Sequence, residues 1–437
     1  MQNILLICSF LLCAFSLTAQ SINKQKLDSL FVLLENNEQT MGSIHISREG
    51  KSIYSRSIGY SSVEDNSEAD QNTRYRIGSI TKIYTATLIF QLIEEGKMDL
   101  DTPLENFFPE IPNANKISIG SLLNHSSGIY NITKSEGFDP QAVKTHEELV
   151  KTIAAFEPVF EPDTKSEYSN SNYILLGYII EEIEQKPYAE VLKERITDKL
   201  ELKSTYYGGS IDTTKNEAYS YHFNEGWEKS SETNMDLPHG AGAIVSTPAE
   251  LTTFITALFN KQLISEESLS KMTKQRHGMG FGIGGTNQGG KQMYGHDGGI
   301  DGFSSLLIYV PEDQLAIAFM ANGNQYPLMA IVRSALMASN DMPFDLPSFE
   351  VFELNEDDLE KYTGIYACSE IPLKLTFTQE DGQLLGAPTG QEPAILKPIK
   401  EHQFQLVQAG VTISFNLVDN SLQFTQGGKE LLFKKEE

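Results

Sequence analysis

YRIGSITKIYTATLIFQLIEEGK, residues 75–97, is the stretch whose reading decides the fold. Tyr75-Arg76-Ile77 reads as a strand end, Gly78 as a point where backbone and substrate approach closely, and Ser79 to Glu95 as an amphipathic helix with Ile83, Ala86, Ile89 and Ile93 at helical spacing. Ser79 therefore sits at a helix N-terminus. Three residues on, Lys82 shares its face, with β-carbons about 5–6 Å apart, and helical side chains lean toward the N-terminus, so the amine reaches back to the hydroxyl. The same helix end offers free N–H groups where an oxyanion would form, and a dipole that lowers the lysine pKa toward that of a usable base. S-x-x-K also occurs at Ser21 to Lys24 and at Ser268 to Lys271, so spacing alone decides nothing; a helix cap beside a surface lysine is the alternative.

Two motifs that occur once each follow in order. Tyr168-Ser169-Asn170 closes a polar loop just before an apolar helix starting near Asn170. A phenol beside a lysine amine can be held as phenolate and shuttle a proton, and an Asn amide can hold both the lysine and a substrate carbonyl. Ser169 or Asn170 can also cap the helix with Tyr168 packed on it, and both roles are compatible. His296-Asp297-Gly298 falls at the end of the strand-like KQMYGH, followed by Gly299 and a second strand after Gly302. Glycines there clear a strand edge whose backbone N–H can be a second oxyanion donor. The competing reading is a glycine-rich hairpin with an incidental histidine.

Working outward, IHISREGKSIYSRSIGYS has the pattern of a hairpin turning at Glu49-Gly50. Its sheet is expected to continue far downstream in MGFGIGG, KQMYGH, FSSLLIYV and LAIAFMAN, the last pair joined across Pro311 to Gln314. Between these regions lie helical patterns at Ser79 to Glu95, 147–156, Asn170 to Glu184 and Pro187 to Lys199, and a capping box with Pro at the first helical position at Thr247-Pro248-Ala249-Glu250. The prolines and acids of SNDMPFDLPSFEVFELNEDD mark a linker near residue 345, and LKLTFTQ, FQLVQ, VTISFNLV and SLQFTQ beyond it read as short strands of an all-β domain.

With 437 residues and 40% hydrophobic composition, the chain can fill about two or three domains. NILLICSFLLCAFSLTA is short for a membrane span and ends in Thr18 and Ala19, which reads as a signal peptide over 1–20 and a secreted or periplasmic protein. No Lys or Arg precedes it, so an uncleaved anchor competes; Leu12 disfavours a lipid anchor at Cys13. Cleavage leaves Cys368 alone of three cysteines, with no disulfide partner and no nearby base, hence a small apolar residue. A net charge of −25 without a basic cluster argues against nucleic acid or an anionic membrane as partner. There is no G-x-S-x-G elbow, no H-E-x-x-H and no cluster among the eight histidines, which argues against an α/β-hydrolase and against a metal.

In their order the three motifs resemble the serine β-lactamase and D-alanyl-D-alanine peptidase superfamily, specifically its class C-like branch, whose motifs are S-x-x-K, Y-x-N or S-x-N, and K-T-G or H-x-G. LLNHSSGIYN at 122–131 is similar to the family's LL-x-H-T-S-G segment, and HGAGAIVSTPAEL at 239–251 to its glycine-rich approach to a helix. The resemblance covers roughly residues 40–340. The tail, with YTGIY at 362–366, is similar to small β-barrel domains appended to secreted relatives.

The resemblance implies an α/β (α+β) fold: a mostly antiparallel sheet flanked by helices, with a helical subdomain, over 21–345, then a small β-barrel-like domain over 346–437. It implies Ser79 as acylated nucleophile, Lys82 as its base partner, Tyr168 as proton shuttle and Asn170 as the group orienting a substrate amide. His296 stands where many relatives have lysine, Gly298 completes its motif, and the backbone N–H groups of Ser79 and Gly299 would form the oxyanion hole. His125 is read as a packing histidine. No metal or cofactor is implied, and nothing sets an oligomeric state.

The third motif departs from K-T-G in ways that bear on substrate. Histidine, with an ordinary pKa of about 6.5, is mostly neutral at pH 7 where lysine would hold a substrate carboxylate. Asp297 adds negative charge in the place of a hydroxyl, and Gly299 offers none. The expectation is a secreted serine hydrolase forming an acyl-enzyme on an ester, amide or D-amino-acid peptide, with a small-molecule or peptide substrate. The alternatives are a D-alanyl-D-alanine carboxypeptidase or β-lactamase, and a non-catalytic binding protein on the same scaffold.

Overall fold

The computed structural model describes residues 22–436 except 289, 351, 353, 427 and 428. The expected leader over 1–20, with Cys8 and Cys13, lies outside the described residues. The hairpin forms as read: Thr40–Arg48 (β1) pairs with Lys51–Ile58 (β2), and Glu49 and Gly50 take φ of 53° and 73°, the positive pair a two-residue turn needs. Gly284–Gln288 (β3), Lys291–Ile300 (β4), Phe303–Val310 (β5) and Leu315–Asn324 (β6) extend it into an antiparallel sheet in the order β3-β4-β5-β6-β1-β2. Residues 59–283 form an insert between β2 and β3 that rejoins the sheet midway, where Tyr221–Phe223 pairs with β6 and with Trp227–Lys229.

Both faces of the sheet are covered, which is why β5 and β6 read as nearly continuous apolar runs. Leu306, Ile308, Ile317 and Phe319 pack toward helices Lys24–Asn36 (α1) and Leu328–Ser339. Leu307, Tyr309, Ala318 and Met320 pack the other way, into a core shared with helices Thr81–Glu94 (α2), Asn170–Glu184 (α3) and Pro248–Phe259 (α4). Helix α2 is the central one. It is buried all round from Thr81 to Leu92, and so is not the amphipathic helix its spacing suggested.

Three local expectations are corrected. The strand expected over MGFGIGG begins only at Gly284, because the preceding segment turns tightly onto α2: a Cβ on Gly282 would stand 2.5 Å from that of Ala86. The helix expected from Pro187 to Lys199 is an α-turn, Tyr188–Leu192, continued by a π-helical turn, Lys193–Thr197, that keeps Ile196 and Thr197 buried. Thr247 caps α4 by accepting from the Glu250 N–H, but the Glu250 carboxylate accepts from Lys203, Ser204 and Thr205 instead, so the capping box is half formed.

In the tail, eight strands among the described residues, from Gly364–Cys368 to Lys429–Lys435, close into an antiparallel barrel; its first and last strands pair at Tyr366–Lys435. Four strand segments were read in the sequence. The others, Gly364–Cys368, Gln383–Pro388, Ala394–Lys400 and Lys429–Lys435, are defined by their pairing within the barrel, the first and last with each other. Phe377, Phe404, Phe415, Phe433, Tyr362 and Tyr366 fill the barrel with edge-to-face rings.

Candidate active site

Ser79 stands in a single 3₁₀ turn, Gly78–Ile80, at the head of α2, and its side chain caps nothing. Gly78 has φ of 51°, and a Cβ there would lie 2.7 Å from Gly299 N. The glycine is thus required by the contact between the serine turn and β4, rather than by approach of a substrate. Gly298 serves the same seam from the other side, since a Cβ there would fall 2.0 Å from the Ile77 carbonyl oxygen. Ser305 Oγ donates to that carbonyl at 2.9 Å.

Lys82 is fully buried, and its Nζ lies 3.0 Å from Ser79 Oγ, 2.9 Å from Asn170 Oδ1 and 2.8 Å from the Ala241 carbonyl oxygen. The last two are acceptors only. A neutral amine has two N–H groups, which satisfy them, and one lone pair, which then faces the serine hydroxyl. Burial drives the lysine well below its ordinary pKa against the opposing field of Asp297, so the neutral form is favoured. Desolvation, rather than the helix dipole, is the dominant cause.

Tyr168 Oη donates to Ser79 Oγ at 2.8 Å. Burial raises the Tyr168 pKa, so it stands as a phenol and not as the phenolate considered from sequence. With the amine neutral, a directional chain would run from Tyr168 O–H to Ser79 Oγ and from Ser79 O–H to Lys82 Nζ. Asn170 closes the other side. Its Oδ1 accepts from Lys82, its Nδ2 donates to Thr133 Oγ1 at 3.1 Å, and its backbone N–H donates to Asn131 Oδ1 at 3.2 Å. Neither Ser169 nor Asn170 caps α3 through its side chain. His125, with φ of 59°, accepts from Ser169 N at 3.2 Å and packs its ring 4.5 Å from that of Tyr168. Burial keeps its pKa low, as suits a neutral packing residue.

The third motif lies within β4, which continues to Ile300 instead of ending at His296. Pairing with β3 stops at Gly284–Gly295, so from His296 onward one edge of β4 has no strand partner. That free edge faces the serine turn. The His296 ring centre is 6.2 Å from that of Tyr168, and burial lowers its pKa to about 4. Asp301, just past the strand, is held by Arg76, whose guanidinium donates to Asp301 at 2.7 Å, to Glu232, and to the carbonyls of Gly209 and Thr233. This buried pair ties β4 to the strand that delivers Ser79.

Ser79, Lys82, Tyr168 and Asn170 are thus brought into one hydrogen-bonded unit, with His296, Gly298 and Gly299 on the adjoining strand. Sequence reading missed the Ala241 carbonyl, the Asn131 and Thr133 supports of Asn170, and the Arg76–Asp301 pair. The glycine-rich segment before Ile244 marked the place of the carbonyl, and a charged residue at an otherwise apolar strand end marked Arg76. Among the described residues no group of three or more His, Cys, Asp or Glu could hold a metal ion, and no helix is long and apolar enough to cross a membrane.

The site thus holds a serine hydroxyl between a buried amine and a phenol, beside a free strand edge. A family model described as Beta-lactamase matches residues 35–340. Penicillin-binding protein 4* of Bacillus subtilis is 24% identical over 91% of this chain and 95% of its own length. Teichoic acid D-alanine hydrolase of Staphylococcus aureus is 30% identical over 51% of this chain and 55% of its own. A D-stereospecific amidohydrolase from Streptomyces superposes with a TM-score of 0.63 at 27% identity, covering 72% of this chain and 98% of that one. The chain belongs to the beta-lactamase family, and it is a serine hydrolase that works through an acyl-enzyme.

Proposed function

We propose that this protein is an exported serine hydrolase of D-aminoacyl esters, amides or peptides, in which Ser79 is the nucleophile, Lys82 the base and Tyr168 the proton donor to the leaving group. The observation that carries the roles is the Tyr168–Ser79–Lys82 chain, with a lysine that burial favours as the free amine. Ser79 Oγ adds to the substrate carbonyl as its proton passes to Lys82 Nζ. The new oxyanion is held by the N–H groups of Ser79 and Gly299. Collapse expels the alkoxide or amine, which takes a proton from Tyr168, and the tyrosine is reprotonated from Lys82. Water then repeats the sequence on the acyl-enzyme, returning Ser79 and releasing the acid.

Two features support the substrate class. Histidine replaces lysine in the third motif and is held neutral, so a C-terminal carboxylate has no fixed cation there. The names of the teichoic acid D-alanine hydrolase and the D-stereospecific amidohydrolase both specify D stereochemistry. Residues 1–20 are read as a leader, which is the ground for export, and the hydrolase unit is assigned to 21–345 with the β domain at 346–437. Turnover of matched D- and L-aminoacyl esters and amides, and of peptides with free and amidated C-termini, tests the reading. D over L, without preference for the free acid, is expected; strong preference for the free acid would instead favour a carboxypeptidase.

A further inference from the structure

Beside Ser79, Lys82 Nζ is held by two acceptors remote from it in sequence: Asn170 Oδ1 at the head of α3, and the Ala241 carbonyl oxygen. A carbonyl has no rotamer of its own, so the Ala241 oxygen is aimed only by the backbone that carries it. That backbone is the single 3₁₀ turn His239–Ala241, and it lies directly on α3. A Cβ on Gly240 would stand 2.6 Å from the Tyr173 carbonyl oxygen and 3.0 Å from Gly177 Cα. From the other side, a Cβ on Gly177 would stand 2.5 Å from His239 Cδ2 and 3.1 Å from Gly240 N. Turn and helix thus meet through two glycines, with the His239 ring in the notch that Gly177 leaves.

That ring is enclosed. It stacks on Tyr178 with centres 4.5 Å apart, and lies 5.2 Å from the ring of Tyr188 and 5.7 Å, edge-on, from that of Tyr207. Tyr207 Oη donates to the Met235 carbonyl at 3.2 Å, so His239 Nδ1, 3.0 Å from the same hydroxyl, is the donor to it. Burial keeps the imidazole neutral, its pKa pushed down to about 3, and Glu181 Oε1, 3.8 Å from Nε2, is beyond hydrogen-bond reach. The residue has φ of 39°, a left-handed backbone that only the surrounding contacts sustain in a non-glycine residue. On the opposite flank Thr85 of α2 donates to the Gly240 carbonyl at 2.6 Å and accepts from Tyr188 Oη at 2.7 Å. The turn is therefore fixed to both helices, the one that carries Lys82 and the one that carries its other acceptor.

We propose that His239 is a positioning residue for the Lys82 amine. Seated in the Gly177 notch, it holds the 239–241 turn so that the Ala241 carbonyl and Asn170 Oδ1 satisfy both N–H groups of the neutral amine and leave its lone pair on the Ser79 hydroxyl. The inference rests on the reading of Lys82 as base and adds the residue that aims it. When the seat is lost the carbonyl moves and the amine turns with it, and a displacement on the order of 1 Å at a reacting group costs up to about 10²-fold in rate.

The test follows phosphonylation of Ser79 by an uncharged fluorophosphonate, with the maximal rate and the half-saturating concentration read separately. Three variants are compared: His239→Ala; Gly177→Ala, which pushes the ring from its notch from the helix side; and His239→Asn, which keeps an N–H donor and tolerates the left-handed backbone. His239→Ala and Gly177→Ala should each lower the maximal rate by about tenfold to 10²-fold, with the half-saturating concentration changed by less than about twofold, and His239→Asn should recover part of the loss. In a Lys82→Ala background the same substitutions should cost less than about twofold, because the group through which they act is gone. A merely structural role would lower both backgrounds alike. The proposal is overturned if the folded variants label at the wild-type maximal rate, if the loss lies in the half-saturating concentration, or if it persists undiminished in Lys82→Ala. Gly177→Ala and His239→Asn are judged by the same criteria if His239→Ala does not fold. In each of those cases Lys82 stands as the base. If Lys82→Ala by itself labels at the wild-type rate, the base reading fails instead.

Discussion

Around Ser79 the fold buries Lys82, Arg76, His125 and His239, each tied by hydrogen bonds to a strand or a loop. In the C-terminal barrel the buried large side chains are phenylalanines, tyrosines and aliphatics with Gln405, and no charged side chain is buried among the described residues there. The barrel uses its interior for cohesion. The hydrolase region carries the cost of desolvating polar groups; in the proposed mechanism an amine kept from water acts as the base, and the paired guanidinium fixes the strand that would carry the oxyanion donor. A substitution near the serine should therefore change rate before it changes folding, and one in the barrel the reverse.

The sharpest break of that contrast is expected at the proton carriers. Lys82→Ala and Tyr168→Phe should each lose about 10² to 10⁴ in acylation rate, read from the pre-steady-state burst, with the far-UV spectrum intact. Phe415, which packs against Tyr362, Tyr366, Phe377 and Phe404, should show the opposite signature. Phe415→Ala is expected to cost about 3–5 kcal/mol in denaturant unfolding while acylation by the remaining folded protein is nearly unchanged. Arg76→Met links the two behaviours, because it leaves the Asp301 carboxylate, its side chain 4% exposed, without its cation and held by Thr233. A loss of about 3–5 kcal/mol together with a slower acylation step is expected.

Smaller effects concern pH and the third motif. Lys82 must be neutral to accept the serine proton, and burial lowers its pKa, so acylation should fall on acidification along a limb set well below the ordinary lysine value. Because His296 is lowered to about 4, His296→Ala should leave a limb near neutral pH in place and cost less than about tenfold in kcat/KM. Disappearance of such a limb in that variant would transfer the base role to the histidine.

What could be read in the sequence was local. Glu49-Gly50 specifies its turn, Asn170 to Glu184 was read at the helix limits found, and Ser79 to Lys82 fixes a geometry within one helical turn. What escaped was set by the rest of the chain. Arg76 and Asp301 are 225 positions apart, and the Ala241 carbonyl carries no side-chain signature. Helical periodicity identified one face of α2 but not the elements that cover the other, so the depth of Lys82, and with it desolvation as the main cause of its lowered pKa, was not visible. The first and last barrel strands are defined by pairing with each other, which neither encodes alone.

The central claim is that Ser79 is the acylated residue, and active-site labelling followed by intact mass and peptide mapping tests it most directly. A fluorophosphonate should add one phosphonyl group to the wild type, map to Ser79, and add none to Ser79→Ala. Labelling of Ser79→Ala at another serine, at the wild-type rate, would contradict the account.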